Sequence, residues 1–422
     1  MAERIKAIKY LFGNRYEHFY ILDFGHYSIK LALFEIDKQK NTGEFVDFAE
    51  AAHSRHVISG GSADFENIIA TSRKAFSRIK PNRNEKKKYL VVGVASEIAY
   101  GHSFTYVHKR ENPKKKIDSV EVKNAIHSAE QRAYESIRKK FAAESGYSET
   151  EVSLINSAIQ SMKVDGYEVS NPEGKDGEEL QLSIFNAYLP TFYKKVFEDL
   201  AEYLKIPLFK LMYEPFSVFE SLKKRKKETL EALVIDVGGR TTRVSLIRKG
   251  RLEDIKTFSF GGESLTHRIA SYLKVGFWEA EGIKGRYASN RLGENALSVV
   301  GGILQTELEI FLRALSMVLK EFSHMALLPS KIYLHGAGGG VPLFDSIMQR
   351  RKWKDDLSFL TQPKIYRLKL DIFENIAIKN KIPPASKWFS VFSMADFVLD
   401  SMNKNETSAS KTLSRMANII EK

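Results

Sequence analysis

A chain of 422 residues exceeds one ordinary domain of about 100–200 residues, so two or more lobes with separate cores are expected. With 43% apolar and 28% charged residues it has the composition of a globular protein, and the lack of cysteine excludes disulfides, thiolate zinc sites and a cysteine nucleophile. The net charge of +13 is concentrated in runs at 86–88, 114–116, 223–227 and 350–354, which suit solvated loop tips or an anionic membrane surface.

These runs lack the interleaved aromatics of a single-strand platform, and no helix-turn-helix or zinc-finger spacing occurs, so nucleic acid is not an expected partner. No run reaches the roughly 18 apolar residues of a membrane span, and the start MAERIKAIKYLF lacks signal-peptide features. A reducing, cytoplasmic setting fits the lack of cysteine, and the chain is expected to be soluble or to sit on a membrane surface.

In chain order, residues 20–36 (YILDFGHYSIKLALFEI) predict an apolar strand, a break at Gly25 and an alternating strand. The stretch 85–190 predicts an inserted small α/β domain, with a helix over 120–143 and a turn-rich segment over 165–179. An amphipathic helix over 191–204 follows, then YEPFSVFES at 213–221, where Pro215 suits a first helical turn. Residues 231–250 (EALVIDVGGRTTRVSLIRKG) repeat the first hairpin: Asp23 matches Asp236, Gly25 matches Gly238, Ser28 matches Thr241 and Lys30 matches Arg243.

Beyond it, a long helix over 295–323, the strand and glycine cluster KIYLHGAGGGVPLF, and a closing helix near 388–402 complete an α/β pattern. After a polar linker, 411–422 predicts an amphipathic helix, capped by Ser410, with Leu413, Met416, Ala417, Ile419 and Ile420 on one face. Such a helix packs on its own body or docks on a membrane. The expected organisation is a first lobe over 1–84 and 191–228, an insertion over 85–190, a second lobe over 229–384, a closing helix over 385–402 and a tail over 403–422.

A glycine-rich break between strands presents consecutive backbone N–H groups to one point, as a phosphate chain requires. Two such breaks facing each other would clamp a triphosphate. An aspartate before each, Asp23 and Asp236, suits the water shell of Mg²⁺; Lys30 supplies a point charge, and Ser28, Thr241 and Thr242 supply hydroxyls. The cluster over 336–340 lets backbone approach a flat ligand such as adenine or ribose. HGAGGG also resembles an esterase oxyanion turn, but no G-x-S-x-G accompanies it. Walker, H-E-x-x-H and dinucleotide patterns are absent as well.

DxGxxSxK at 23–30, DVGGRTT at 236–242, EP at 214–215, AEGIK at 280–284 and the glycine-rich exit at 334–342 resemble, in order, the phosphate-one, phosphate-two, connect-one, connect-two and adenosine motifs of the actin, heat-shock chaperone and hexokinase superfamily. VDGYEVSNPEGKDGEELQL at 164–182 and FGGESLTHRIA at 260–270 resemble the FtsA family, with the PilM family close behind. The resemblance implies a two-lobed actin-like (ribonuclease H-like) fold with an SHS2-like insertion, binding ATP and Mg²⁺.

By the same resemblance, Gly25, Gly238, Gly239, Gly336, Gly338 and Gly339 would hold the nucleotide, Glu281 and Lys284 would touch ribose and adenine, and Glu214 would position water. An FtsA-like scaffold would polymerise head to tail, bind the FtsZ tail and attach to membrane through its C-terminal helix. A PilM-like protein would instead serve a pilus inner-membrane partner. A sugar or metabolite kinase is a third expectation on this fold.

Four residues depart from the family pattern. His26 and Tyr27 replace small residues, Arg240 replaces a glycine, and Arg243 stands where an acidic residue often follows the two threonines, which sets ATP binding apart from hydrolysis. The interval from Lys284 to about residue 295 is short for FtsA, which carries extra strands there; this moves weight toward PilM, with the FtsA-like scaffold kept as the first reading.

Overall fold

The computed structural model describes residues 15–25, 27–53, 58–59, 62–80, 87–95, 97–145, 151–225, 228–323, 326–350, 353–380 and 385–403. The amphipathic helix expected over 411–422, and His26, lie outside them.

Strands β1 (Tyr16–Phe24), β2 (Ser28–Asp37) and β3 (Thr42–Ala52) form an antiparallel meander. Two short strands, β4 (Ile58–Ser59) and β5 (Ser62–Ala63), precede α1 (Phe65–Phe76), which Asp64 caps by accepting from the Asn67 N–H at 3.1 Å. Strand β6 (Lys88–Val94) runs parallel beside β1. The insertion follows as β7 (Tyr100–Lys109), α2 (Ser119–Ser145), β8 (Val152–Val164), β9 (Tyr167–Val169) and β10 (Glu179–Pro190), in sheet order β7-β10-β8-β9.

The chain returns to the first lobe through α3 (Thr191–Leu204), β11 (Leu208–Tyr213) and α4 (Glu214–Lys224), and β11 lies parallel to β6. The second lobe comprises β12 (Ala232–Val237), β13 (Thr242–Arg248), β14 (Arg251–Phe258), α5 (Gly262–Leu273), α6 (Phe277–Ala288), α7 (Glu294–Ser323), β15 (Lys331–His335), α8 (Pro342–Gln349) and β16 (Lys364–Arg367). Finally β17 (Ile376–Ile378) pairs parallel with β3, and α9 (Phe389–Asn403) packs against α4 and the first-lobe sheet.

The two main sheets share one plan. From one edge, β3-β2-β1-β6-β11 is an antiparallel meander followed by two parallel strands, and β14-β13-β12-β15-β16 repeats it. The register repeats too: Asp23 pairs across from Lys30, and Asp236 from Arg243. Each hairpin closes in the same way, with the Gly25 N–H donating to Ser28 O at 3.2 Å and the Gly238 N–H to Thr241 O at 2.9 Å. The sequence repeat is therefore a structural repeat.

Two boundaries differ from the sequence expectation. Strand β6, expected inside an insertion beginning at 85, lies within the first-lobe sheet, because its apolar run LVVGV is buried between β1 and β11. Strand β17, expected in the second lobe, completes the first-lobe sheet.

One apolar cluster runs from the first lobe into the insertion at Phe185, Ala187 and Leu189 and into the second-lobe sheet at Val234, Leu252 and Tyr333, while further clusters fill the rest of the second lobe and of the insertion. On the first-lobe sheet, the Phe45 and Phe392 rings sit 4.2 Å apart and tie α9 to β3. Asp396 of α9 accepts from Arg225 at 2.6 and 2.8 Å and from Ser221 at 2.9 Å, and burial of the carboxylate is outweighed by Arg225 and Lys224, which hold it below its usual range. The insertion also reaches the second lobe: Gln160 Nε2 donates to Leu252 O at 3.1 Å, and Arg251 donates to Ser183 Oγ at 3.3 Å.

Inside the insertion Glu130 of α2 is 1% exposed, and one of its oxygens has no hydrogen-bond partner among the described residues. Burial pushes its carboxyl from 4.5 up to about 7, with Ser157, donating at 3.1 Å, opposing the rise. The folded state thus holds this proton more tightly than the unfolded chain does. The associated stability is complete below pH 4.5 and is lost as pH rises through about 7. Glu130→Gln is expected to flatten the fall of melting temperature over that interval; equal slopes in the variant and the parent would contradict this assignment.

Candidate nucleotide site

The first hairpin holds its functional residues in ion pairs. Lys30 Nζ donates to Asp23 Oδ2 at 2.7 Å, and the Asp23 carboxylate raises the lysine pKa against the cost of burial. Ser28 Oγ donates to Glu50 Oε1 at 2.7 Å, and Gly25 O accepts from His53 Nε2 at 3.1 Å. Burial keeps His53 neutral by lowering its pKa.

The second hairpin repeats the arrangement with a stronger cation. Arg243 donates to Asp236 Oδ2 at 2.5 Å and, from its other terminal nitrogen, to Glu214 Oε2 at 3.2 Å. Burial opposes ionisation of Asp236, but the Arg243 and Lys30 charges outweigh it and hold the carboxyl below its usual range. His335, whose Nδ1 lies 3.5 Å from Asp236 Oδ1, is driven neutral by burial. Glu214 behaves oppositely: burial, reinforced by the Asp23 charge, raises its pKa well above normal despite Arg243.

The hydroxyls expected for phosphate have protein partners. Thr241 Oγ1 donates to Glu97, and Thr242 Oγ1 donates to Phe260 O at 2.7 Å. At the start of α5, the Gly262 and Glu263 N–H groups donate to Gly238 O at 3.0 Å and Gly239 O at 2.7 Å.

Three glycine turns of the second lobe converge here. Gly336 has φ +98°, and a Cβ on it would lie 2.3 Å from both Asp236 Oδ1 and Val237 O. A Cβ on Gly338 would lie 2.2 Å from Gly238 O and 2.8 Å from Gly262 N. Gly339 meets only ordinary contacts, and its carbonyl accepts from Arg367 at 2.9 Å. Beside this junction Lys284 Nζ contacts Glu281 Oε2 at 2.7 Å, Thr266 Oγ1 at 2.7 Å and Gly262 O at 2.9 Å.

The first-lobe turn closes over the junction. Tyr27 Cβ lies 3.3 Å from where a Cβ of Gly239 would stand, and its ring is 6.1 Å from that of Trp278. Burial and the nearby Glu281, Glu263 and Glu50 carboxylates push the phenol up to about 12.

Asp23, Lys30, Glu214, Asp236 and Arg243 thus form one charged group between the lobes; Gly336 and Gly238 lie directly against it, and Gly338 links Gly238 to Gly262, where Lys284 and Glu281 meet. Glu97 and His335 join the charged group without having been singled out in the sequence. Glu97 stands alone after a strand, and its partner Thr241 is 144 residues away, so it carries no local signal. His335 is the first residue of a motif whose glycines dominate.

A magnesium ion does not fit this arrangement. Each expected ligand already faces a cation of the chain, and the cavity of about 10 Å³ lined by Glu214, Asp236, Arg243, His335 and Ser390 has room for about one water. Mg²⁺ usually keeps several waters. Among the described residues no group of three or more His, Asp or Glu side chains is placed to hold a metal.

The profile of the family described as "Cell division protein FtsA" matches residues 233–413. The curated relative "Cell division protein FtsA" of Enterococcus hirae is 21% identical over 268 residues, 63% of this chain and 57% of that protein's length. Among solved structures, the "PilM-PilN type IV pilus biogenesis complex" superposes with a TM-score of 0.61 at 15% identity, covering 90% of this chain and 97% of that one. The chain has the fold of the PilM structure, and its second lobe is similar to the FtsA family. The ethanolamine utilization protein EutJ of Carboxydothermus hydrogenoformans is also similar, at 14% identity and a TM-score of 0.46 over 90% of this chain and 89% of its own.

The duplicated sheets are the two lobes, and the two Asp-containing hairpins face one another between them. The close approach of Gly338 to Gly238 gives a direct check. Gly338→Ala is expected to lower stability by about 1–3 kcal/mol, whereas Gly340→Ala, whose Cβ meets nothing within 4 Å, should stay within about 0.5 kcal/mol of the parent. Equal effects in urea denaturation would remove the junction as the reason for these glycines.

Proposed function

We propose that this chain is a nucleotide-binding adaptor of the FtsA/PilM type that acts through the state of its cleft and not through turnover. What supports binding is the convergence of the phosphate-two, α5 and adenosine glycine turns on one point, opposite the phosphate-one turn and beside the Glu281–Lys284 pair. ATP is the nucleotide that the motif order implies.

Glu214, the residue expected to position water, is poorly suited to do so. Its Oε2 is held by Arg243, its Oε1 has no partner among the described residues, and burial together with the Asp23 charge raises its pKa well above normal, which favours the protonated form. A protonated carboxyl does not serve as a general base.

The partner is read as a pilus inner-membrane protein. Helices α6 and α7 are joined by residues 289–293 alone, with no strand between them, whereas FtsA-type proteins carry extra strands there for the FtsZ tail. The FtsA-like reading, a head-to-tail polymer that tethers FtsZ, is the second one, favoured by the family match over 233–413. In either reading the protein is cytoplasmic and lies on the inner face of the membrane. No helix among the described residues is long and apolar enough to cross a bilayer, and the tether would be the tail after residue 403.

Pull-down of the full chain with a PilN-type protein and, separately, with an FtsZ tail peptide, each with and without ATP, tests this. Capture of the PilN-type protein, altered by ATP and without phosphate release above the protein-free level, is expected. Capture of the FtsZ peptide alone would select the division reading, and sustained phosphate release would refute an adaptor without turnover.

A further inference from the structure

At the floor of the cleft, Arg243 belongs to the second lobe, yet it pairs with a carboxylate from each lobe: Asp236 at 2.5 Å and Glu214 at 3.2 Å. It is 7% exposed, and Glu214 is 3% exposed. The Nε of Arg243 and the Oε1 of Glu214 are buried without hydrogen-bond partners among the described residues, and both residues line the one-water cavity. The guanidinium is permanently charged and cannot be displaced by loss of a proton.

We infer that Arg243 is a resident cation that takes the place of a divalent metal, so that the cleft accepts a nucleoside polyphosphate in its metal-free form. This rests on the nucleotide-binding reading above. In a site with two bare aspartates, a metal is needed to keep the carboxylates from repelling a polyphosphate. Here Lys30 covers Asp23 and Arg243 covers Asp236, so that repulsion is removed by the chain itself. A divalent ion entering beside Arg243 would meet like charge, and Asp236, its expected ligand, is already taken by the guanidinium.

The test compares the affinity of the full chain for a fluorescent ATP analogue in excess EDTA and in excess Mg²⁺. The two affinities are expected to agree within about twofold, because a ligand-linked metal would shift them with its concentration. An affinity about tenfold or more higher with Mg²⁺ would overturn the inference. Electron paramagnetic resonance titration with Mn²⁺ alone provides a readout independent of nucleotide. The parent protein is expected to take up no tightly held Mn²⁺, while Arg243→Asp, if folded by circular dichroism, gains a site. Tight Mn²⁺ binding by the parent would also overturn the inference. Absence of nucleotide binding in both buffers would refute the nucleotide-binding reading and leave the Mn²⁺ titration of the parent to decide the role of Arg243.

Discussion

A guanidinium buried between one carboxylate of each lobe is the interaction on which this cleft depends. Arg243 lies in β13, Asp236 beside it in β12, and Glu214 at the start of α4 across the lobe boundary. Removing one member of such a buried group leaves an uncompensated charge, at a cost of about 3–5 kcal/mol. The same cation holds Asp236 below its usual range, while burial and the Asp23 charge raise the pKa of Glu214 well above its own. The ionised form of Asp236 follows from this one side chain, whereas the raised pKa of Glu214 comes from its burial and is opposed by Arg243, and lobe contact is shared with the apolar cluster that runs from the first-lobe sheet to Val234, Leu252 and Tyr333.

The rest of the architecture presents that side chain. A meander followed by two parallel strands is built twice, and in each copy the aspartate before the turn is paired across the hairpin with a cation, Lys30 or Arg243. Lys30 reaches only its own aspartate, whereas the longer, forked Arg243 reaches a second acid as well. The difference between two otherwise matching hairpins therefore decides which one links the lobes. The insertion adds another link through Gln160, Arg251 and the backbone of β14.

Much of this was legible in the sequence because it is local. The hairpin repeat, the helix over Thr191–Leu204 and the long helix ending at Ser323 depend on offsets of a few residues, and they lie where periodicity placed them. Strands β6 and β17 were misassigned because an apolar run carries no record of its sheet neighbour. Arg243 was noticed as a departure, but strand alternation gives no reason for a buried cation; β13 is covered on both faces, so the usual polar side does not exist. The hydroxyls of Ser28, Thr241 and Thr242 matched a phosphate pattern, yet their acceptors Glu50, Glu97 and Phe260 O come from other strands and loops.

A double-mutant cycle on Asp236→Asn and Arg243→Gln, followed by urea denaturation, addresses the interaction itself. The account predicts a coupling energy of about 2 kcal/mol or more, since either single change strands the other partner in a buried site. Additive effects, within about 0.5 kcal/mol, would contradict it and show that the two side chains do not act as a pair.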